Sequence, residues 1–296
     1  MRNANPDSPV LRRRDLLGVF CALAAPGRAQ PQGPLFEVAA LDHINIRATD
    51  PTRSAHFYQS LFGGELTWIA NIPPNPTSPA AESWYLMLGR HFLSISPVFP
   101  NLHLGPGLDH ICPALRGYQP ATADARLKER GIETSSGGGV WIRDPDGMLY
   151  QLRDDRGGGP ARPPGQAKPK TGEPSAPASA PFPPVAVAEI GLLAADLKKA
   201  AAFYESVFGS SARPSDHGKS QSFRFGDSNL RLSAHGSSQT AGTMDRMVIA
   251  VQTFSPGNAR RALSERGIKS QGSRAEVLLS DPDGIRVQLV SADTRR

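Results

Sequence analysis

Alternating apolar and polar residues mark the first predicted strand of the chain. Within residues 41–47, two isoleucines alternate with polar residues. Neighbouring side chains of a strand face opposite ways, so we expect Ile44 and Ile46 to pack under helices. The polar side chains share the other face of the strand: His43, Asn45 and Arg47.

A helix is predicted directly after this strand. Asp50 is a typical N-cap, Pro51 suits the first turn, and Gly63 is typical of a helix end. Strands are predicted at 65–70, 83–88 and 91–96, and the order then repeats with a strand at 108–115, a helix at 121–130, and strands at 132–135, 140–143 and 148–153. This order predicts an α+β fold in which each domain is a pair of βαβββ units, forming a curled mixed sheet with helices outside.

The two halves of the chain repeat each other. FYQSLFG returns as FYESVFG, LKERGIET as LSERGIKS, and DPDGMLYQL as DPDGIRVQL. We therefore predict a first domain at 38–153 and a second at 185–291, each near the commonest domain size. Residues 154–184 are mainly Gly, Pro, Ala, Ser and Lys, a composition that predicts a disordered linker.

The N-terminal segment has the pattern of an export signal. In residues 1–29, three arginines precede a short apolar stretch that ends in small residues. The run Arg13-Arg14-Asp15-Leu16-Leu17 resembles the bacterial twin-arginine signal, which predicts export to the periplasm; an ordinary secretory signal is the alternative. The apolar stretch is too short to span a bilayer. Cleavage would leave Cys112 as the single cysteine, so no internal disulfide is expected.

The basic composition does not indicate nucleic-acid binding. The net charge is +6 and the pI is about 9.6, but the basic residues are scattered and none of their runs is interleaved with aromatic residues. A small molecule is therefore the expected ligand, and the two domains are expected to pair within the chain.

Candidate chemistry lies in the first domain. Alternation in the strands puts two imidazoles and one amide on the same face, those of His43, His110 and Gln151. The second domain has different residues at the first two of these positions and keeps the amide: Glu189, Arg246 and Gln288. A divalent metal such as Fe, Mn or Zn is thus expected in the first domain only, and we expect Glu189 and Arg246 to form an ion pair.

The order of the paired units, the FYxxLFG helix end and the DPDG turn resemble the vicinal oxygen chelate superfamily, which includes glyoxalase I, extradiol dioxygenases and bleomycin-binding proteins. The resemblance implies that His43 and His110 are metal ligands. At the third ligand position, where the family usually has Glu, this chain has Gln151. Glyoxalase I activity is not expected, because residues 92–96 lack the Glu that such sites place on the fourth strand.

Two functions follow from this resemblance. One is an exported metal-dependent enzyme, of the dioxygenase or the isomerase type, that acts on a small substrate with two vicinal oxygens. The other is a non-catalytic protein that binds or sequesters a small molecule, as bleomycin-resistance proteins do. Three polar residues are candidates for substrate binding, although salt bridges would also explain them: Asn45, Arg47 and Arg153.

The remaining polar residues are expected to be structural. The acids of the two DPDG turns and His91, which lies near a turn, are expected to be exposed. Tyr150 falls on the helix side of its strand and is expected in the core.

Overall fold

The computed structural model describes residues 33–71, 81–98, 105–137, 139–158, 162–165, 167–169, 179–209, 213–215 and 218–293. The predicted export signal at 1–29 lies outside these residues. Residues Gly33–Arg296 form one compact unit. Of the helices in the described ranges, none has the length and apolar character needed to cross a bilayer.

The first copy is a nine-stranded mixed sheet with two helices. Its elements are β1 (Val38–Ala48), α1 (Pro51–Phe62), β2 (Leu66–Asn71), β3 (Ala81–Leu88), β4 (His91–Pro97), β5 (Gly107–Leu115), α2 (Pro120–Glu129), β6 (Ser135–Ser136), β7 (Val140–Arg143), β8 (Leu149–Asp154) and β9 (Lys168–Pro169). The strand order is β6-β7-β8-β5-β1-β4-β3-β2-β9. The two βαβββ units thus meet where β1 and β5 pair antiparallel.

The second copy repeats this plan with an eight-stranded sheet. Its elements are β10 (Pro184–Ala194), α3 (Leu197–Phe208), β11 (Arg213–Ser215), β12 (Ser220–Phe225), β13 (Ser228–Ala234), β14 (Thr243–Val251), α4 (Pro256–Ser264), β15 (Ser270–Gln271), β16 (Val277–Ser280) and β17 (Arg286–Ser291). The strand order is β11-β12-β13-β10-β14-β17-β16-β15. The predicted α+β architecture of paired βαβββ units is confirmed.

Local sequence signals place the first helix as predicted. The Asp50 side chain accepts a hydrogen bond from the Arg53 amide at 2.9 Å, and Pro51 occupies the first turn. Gly63 ends the helix with a positive φ of 71°, a backbone conformation that favours glycine. Ile44 and Ile46 are fully buried, so the polar face of β1 points away from the helices.

The two copies share one hydrophobic core. Buried residues of both sheets form a single continuous cluster. Tyr58 of α1 donates to Asp281 of the second copy at 3.0 Å, and Tyr204 of α3 donates to Asp144 of the first copy at 2.6 Å. The two carboxylates, the first in each DPDG turn, are therefore buried, and the expectation that they are exposed was wrong. Tyr150 is fully buried and bonds the Tyr204 hydroxyl at 2.6 Å, in agreement with its expected place in the core.

Two other expectations fail because of contacts between segments distant in sequence. His91 is buried rather than exposed, and its Nδ1 accepts a hydrogen bond from the Val187 amide at 3.0 Å. Described parts of the predicted linker are ordered: β9 pairs with β2, and the Phe182 side chain lies in the core. The segment 154–184 is thus not disordered throughout.

Candidate metal centre

Two histidines converge on the inner face of the first sheet. His43 lies on β1 and His110 on the neighbouring strand β5, where His110 is paired with Asn45. Their Nε2 atoms are 3.1 Å apart, and both side chains are buried. Two nitrogens bound at about 2.1 Å to one ion, at angles between 90° and the tetrahedral value, lie about 3.0 to 3.4 Å apart. The observed separation therefore fits two ligands of the same ion.

A β-bulge precedes each histidine and places an aspartate beside it. The pairing of β1 with β5 leaves Asp42 as an extra residue before His43, and Asp109 as an extra residue before His110. Bulges change the direction of side chains and occur often beside active sites. Here Asp42 contacts His43 Nδ1 at 2.6 Å, and Asp109 contacts His110 Nδ1 at 2.7 Å.

The two aspartates were not predicted as parts of the site. Simple alternation would place each on the face opposite its histidine. A signal was present in the sequence, because Leu-Asp-His-Ile occurs both at 41–44 and at 108–111. A carboxylate on the outer ring nitrogen fixes the tautomer and the orientation of a metal-binding histidine.

The hydrogen bonds of this cluster need one more proton than its two neutral imidazoles carry. The chain Asp42, His43, His110, Asp109 contains three contacts between electronegative atoms, and each contact needs one proton between its atoms. Two neutral imidazoles supply two protons. Burial, and secondarily the charge of His110, lowers the pKa of His43 to about 4, although the hydrogen bond that His43 donates to Asp42 acts in the opposite direction. A metal cation bound by both Nε2 atoms would take the place of the third proton.

Aromatic side chains pack against the two imidazoles. His43 stacks on Phe92 with ring centroids 4.3 Å apart, and His110 meets Trp141 edge to face at 4.9 Å. These contacts pack against the two imidazoles, which are both buried.

Gln151 lies on the same inner face. It is buried on β8, where it is paired with Trp141 of β7. It follows Leu149, the partner of His110, by two residues and so points to the same face. The strands thus bring the three predicted ligands to one side of the sheet. Gln151 remains a predicted ligand.

A second set of possible metal ligands shares His43 with the predicted set. Ligand atoms of Asp42, His43 and Cys112 lie within 4.8 Å of one another, and all three residues are buried. Burial raises the pKa of the Cys112 thiol well above its usual value, and the charge of Asp42 adds to that effect. Cys112 was not predicted as a ligand, although it lies opposite His43 in the strand pair. Using His43 Nδ1 for a metal would break its bond with Asp42.

The three predicted substrate-binding residues have different surroundings. Arg47 forms a salt bridge with Asp109 at 2.7 Å. Asn45 donates to Ser94 and Ser96 at 2.8 and 2.9 Å, but its buried Oδ1 has no hydrogen-bond partner among the residues that the structure describes. Arg153 is half-buried on the inner face of β8.

The equivalent place in the second copy has another arrangement. Arg246 pairs with Asp245 at 2.8 Å, and Asp245 also pairs with Arg286 at 2.6 Å. Within the described parts of the chain no ion pair joins Glu189 to Arg246, so that prediction was wrong. The reason is a retained bulge at Asp245, which supplies a nearer carboxylate. Gln288 donates instead to Glu276.

The sequence has no match among family models or curated proteins, whereas its structure is similar to known ones. An extradiol ring-cleaving dioxygenase from B. fuscum has a TM-score of 0.59 and 15% identity, over 88% of this chain and 74% of that one. The substrate complex of homoprotocatechuate 2,3-dioxygenase from Brevibacterium fuscum has a TM-score of 0.56 and 15% identity, over 88% and 82%. The 2,3-dioxygenase LapB from Pseudomonas sp. KL28 has a TM-score of 0.58 and 14% identity, over 87% and 93%. The chain therefore has the tandem vicinal oxygen chelate fold that is seen in extradiol dioxygenases.

Proposed function

We propose that the first copy binds a divalent metal through His43 and His110, with the amide oxygen of Gln151 as third donor, and presents it to a small molecule with two adjacent oxygens. The observation that carries the proposal is the pair of buried imidazoles, each held by a carboxylate, whose two Nε2 atoms meet at 3.1 Å with no proton left to share between them. Two histidines and one oxygen donor with open positions suit iron(II), manganese or zinc.

The residues around the proposed ion have separable roles. When bound, the ion would act as a Lewis acid on the two substrate oxygens. Asp42 and Asp109 hold the two imidazoles with Nε2 free to bind. Phe92 and Trp141 reduce the water around the ligands, which strengthens electrostatic interactions at the site.

A catechol is the substrate class with the best support. One similar solved structure is a complex with 3,4-dihydroxyphenylacetate, a molecule with two vicinal hydroxyls. By analogy, ring-cleaving dioxygenation is the proposed reaction of this chain. The signal pattern at 1–29 would place that activity in the bacterial periplasm.

Binding without catalysis is the second candidate function. It is favoured by Gln151, since a neutral amide is a weaker donor than the usual Glu carboxylate. The second copy has Gln288 at the matching position although it lacks the two histidines, so a glutamine there does not by itself indicate a metal site. A protein of this kind would hold the ligand without converting it.

Turnover separates the two functions. The full chain is loaded anaerobically with Fe(II), mixed with catechol or 3,4-dihydroxyphenylacetate, and exposed to oxygen while oxygen uptake and absorbance are followed. An enzyme will turn over many equivalents, and the His43→Ala/His110→Ala variant will lose that activity. Stoichiometric binding without oxygen uptake identifies the sequestration function. Binding of neither compound by the metal-loaded chain would contradict a catechol as the ligand.

A further inference from the structure

Arg153 is a half-buried cation that has no counter-ion among the described residues. On β8 it follows Gln151 by two residues and is paired with Ala114 of β5, so it shares the inner face with the proposed metal ligands. In the residues that the structure describes, its guanidinium has no hydrogen bond and no salt bridge. Arg47, the other arginine considered for this face, is paired with Asp109. Partly burying a charge without a partner is unfavourable, which indicates that an anion completes the site.

Arg153 interacts with a side chain of a distant strand of the same sheet. Tyr85 lies on β3, four strands away from β8 in the sheet order. In a flat sheet these strands would be about 19 Å apart. Burial raises the pKa of Tyr85, and the charge of Arg153 acts against that rise, so the two side chains are close enough to interact. The charge of Arg153 thus acts on a side chain in the opposite half of the sheet.

A second polar atom in this interior also lacks a partner. Asn45 is 6% exposed, and its amide nitrogen is held by the hydroxyls of Ser94 and Ser96. Its Oδ1 is buried and forms no hydrogen bond within the described ranges. An unsatisfied buried carbonyl oxygen is costly, and a hydroxyl or amine of a ligand would satisfy it.

The donor set of the proposed metal gives an independent reason for an anion. Two neutral imidazoles and the amide of Gln151 would place no negative charge directly on a divalent ion, whereas a Glu at the third position would. The carboxylates of Asp42 and Asp109 lie on the other side of the imidazoles. A ligand that carries negative charge therefore suits this site better than a neutral one. This reason rests on the proposed function, while the surroundings of Arg153 and Asn45 do not.

We propose that Arg153 is an anion-binding subsite of the first copy, which selects a small ligand with a carboxylate in addition to its adjacent oxygens. Asn45 Oδ1 accepts a hydrogen bond from a hydroxyl of the same ligand. Arginine suits this role because its planar guanidinium can donate two parallel hydrogen bonds to a carboxylate.

The probes are catechol and 3,4-dihydroxybenzoate, which share two vicinal hydroxyls and differ by one carboxylate. Binding to the full chain is measured by calorimetry with Mn(II) bound and by ligand-detected NMR in the metal-free protein. Wild type is expected to bind 3,4-dihydroxybenzoate about tenfold tighter than catechol, the scale of one charge-assisted hydrogen-bonded pair. Arg153→Gln should remove the preference for 3,4-dihydroxybenzoate, and Arg153→Lys, which keeps the positive charge, should retain part of it.

The matched control is Arg261→Gln, which removes the same charge from an exposed position of the second copy. It should keep the preference, and circular dichroism should show that all variants are folded. Equal binding of the two probes by wild type, or a preference that survives Arg153→Gln, overturns the proposed subsite. If Mn(II) does not improve catechol binding but the carboxylate preference persists in metal-free protein, the proposed function fails and the Arg153 subsite stands.

Discussion

His91 makes the stability of the folded chain depend on pH. Its Nδ1 accepts the Val187 amide proton at 3.0 Å and so joins β4 of the first copy to β10 of the second. Only a ring with a free lone pair on Nδ1 can accept this bond. Burial, and next the neighbouring Arg90 charge, lowers the pKa of His91 from 6.5 to about 4.

The sign and size of the effect follow from proton linkage. In the unfolded chain His91 takes up a proton as the pH falls through 6.5, whereas in the folded chain it does so only near pH 4. Its contribution is thus fully present above the unfolded pKa and is lost as the pH falls. Between about pH 8 and about pH 5 the loss amounts to about 2 kcal/mol of the free energy of unfolding.

His91→Asn isolates this contribution, because the Asn Oδ1 can accept the same amide proton but does not titrate. Urea unfolding of metal-free wild type and variant is compared at the two pH values, and the variant should lose about 2 kcal/mol less on acidification. The exposed His235 provides the control variant His235→Asn, which should behave as wild type. An equal loss in wild type and His91→Asn would refute the claim that His91 is held neutral.

Three further outcomes are expected. Gln151→Glu should raise metal affinity about tenfold or more in competitive chelator titrations, and unchanged or weaker affinity would show that Gln151 does not face the ion. Cys112→Ala should keep the metal in the same titration, since the proposed ligands are the two Nε2 atoms; loss of binding would favour the group of Asp42, His43 and Cys112. Tyr204→Phe should destabilise the chain by about 1 to 3 kcal/mol in urea unfolding, because the buried Asp144 carboxylate loses a donor, and no change would contradict the role of this contact between the copies.

The sequence predicted the features that depend on local pattern. The alternation of isoleucine and polar residues placed His43 and Asn45 on the inner face, and Asp50 with Gly63 marked the helix ends. These signals depend on residues close together in the chain, so they can be read from a single sequence.

The features that were missed depend on one inserted residue or on pairing between the copies. A β-bulge changes which face a residue occupies, so Asp42 and Asp109 reach the imidazoles beside them. A β-bulge at the matching position of the second copy likewise places Asp245 closer to Arg246 than Glu189 is. Burial of His91 arises from contact with the other copy, which no local pattern encodes.

The most direct test of the metal centre compares equivalent positions of the two copies. Wild type, the His43→Ala/His110→Ala variant and the Glu189→Ala/Arg246→Ala variant are loaded anaerobically with Fe(II) and desalted. Bound metal is then measured by elemental analysis, and folding is checked by circular dichroism. We expect one ion per chain in wild type and in the second-copy variant, and none in the folded histidine variant. Wild type without stoichiometric metal, or a histidine variant that retains it, would contradict the proposed centre.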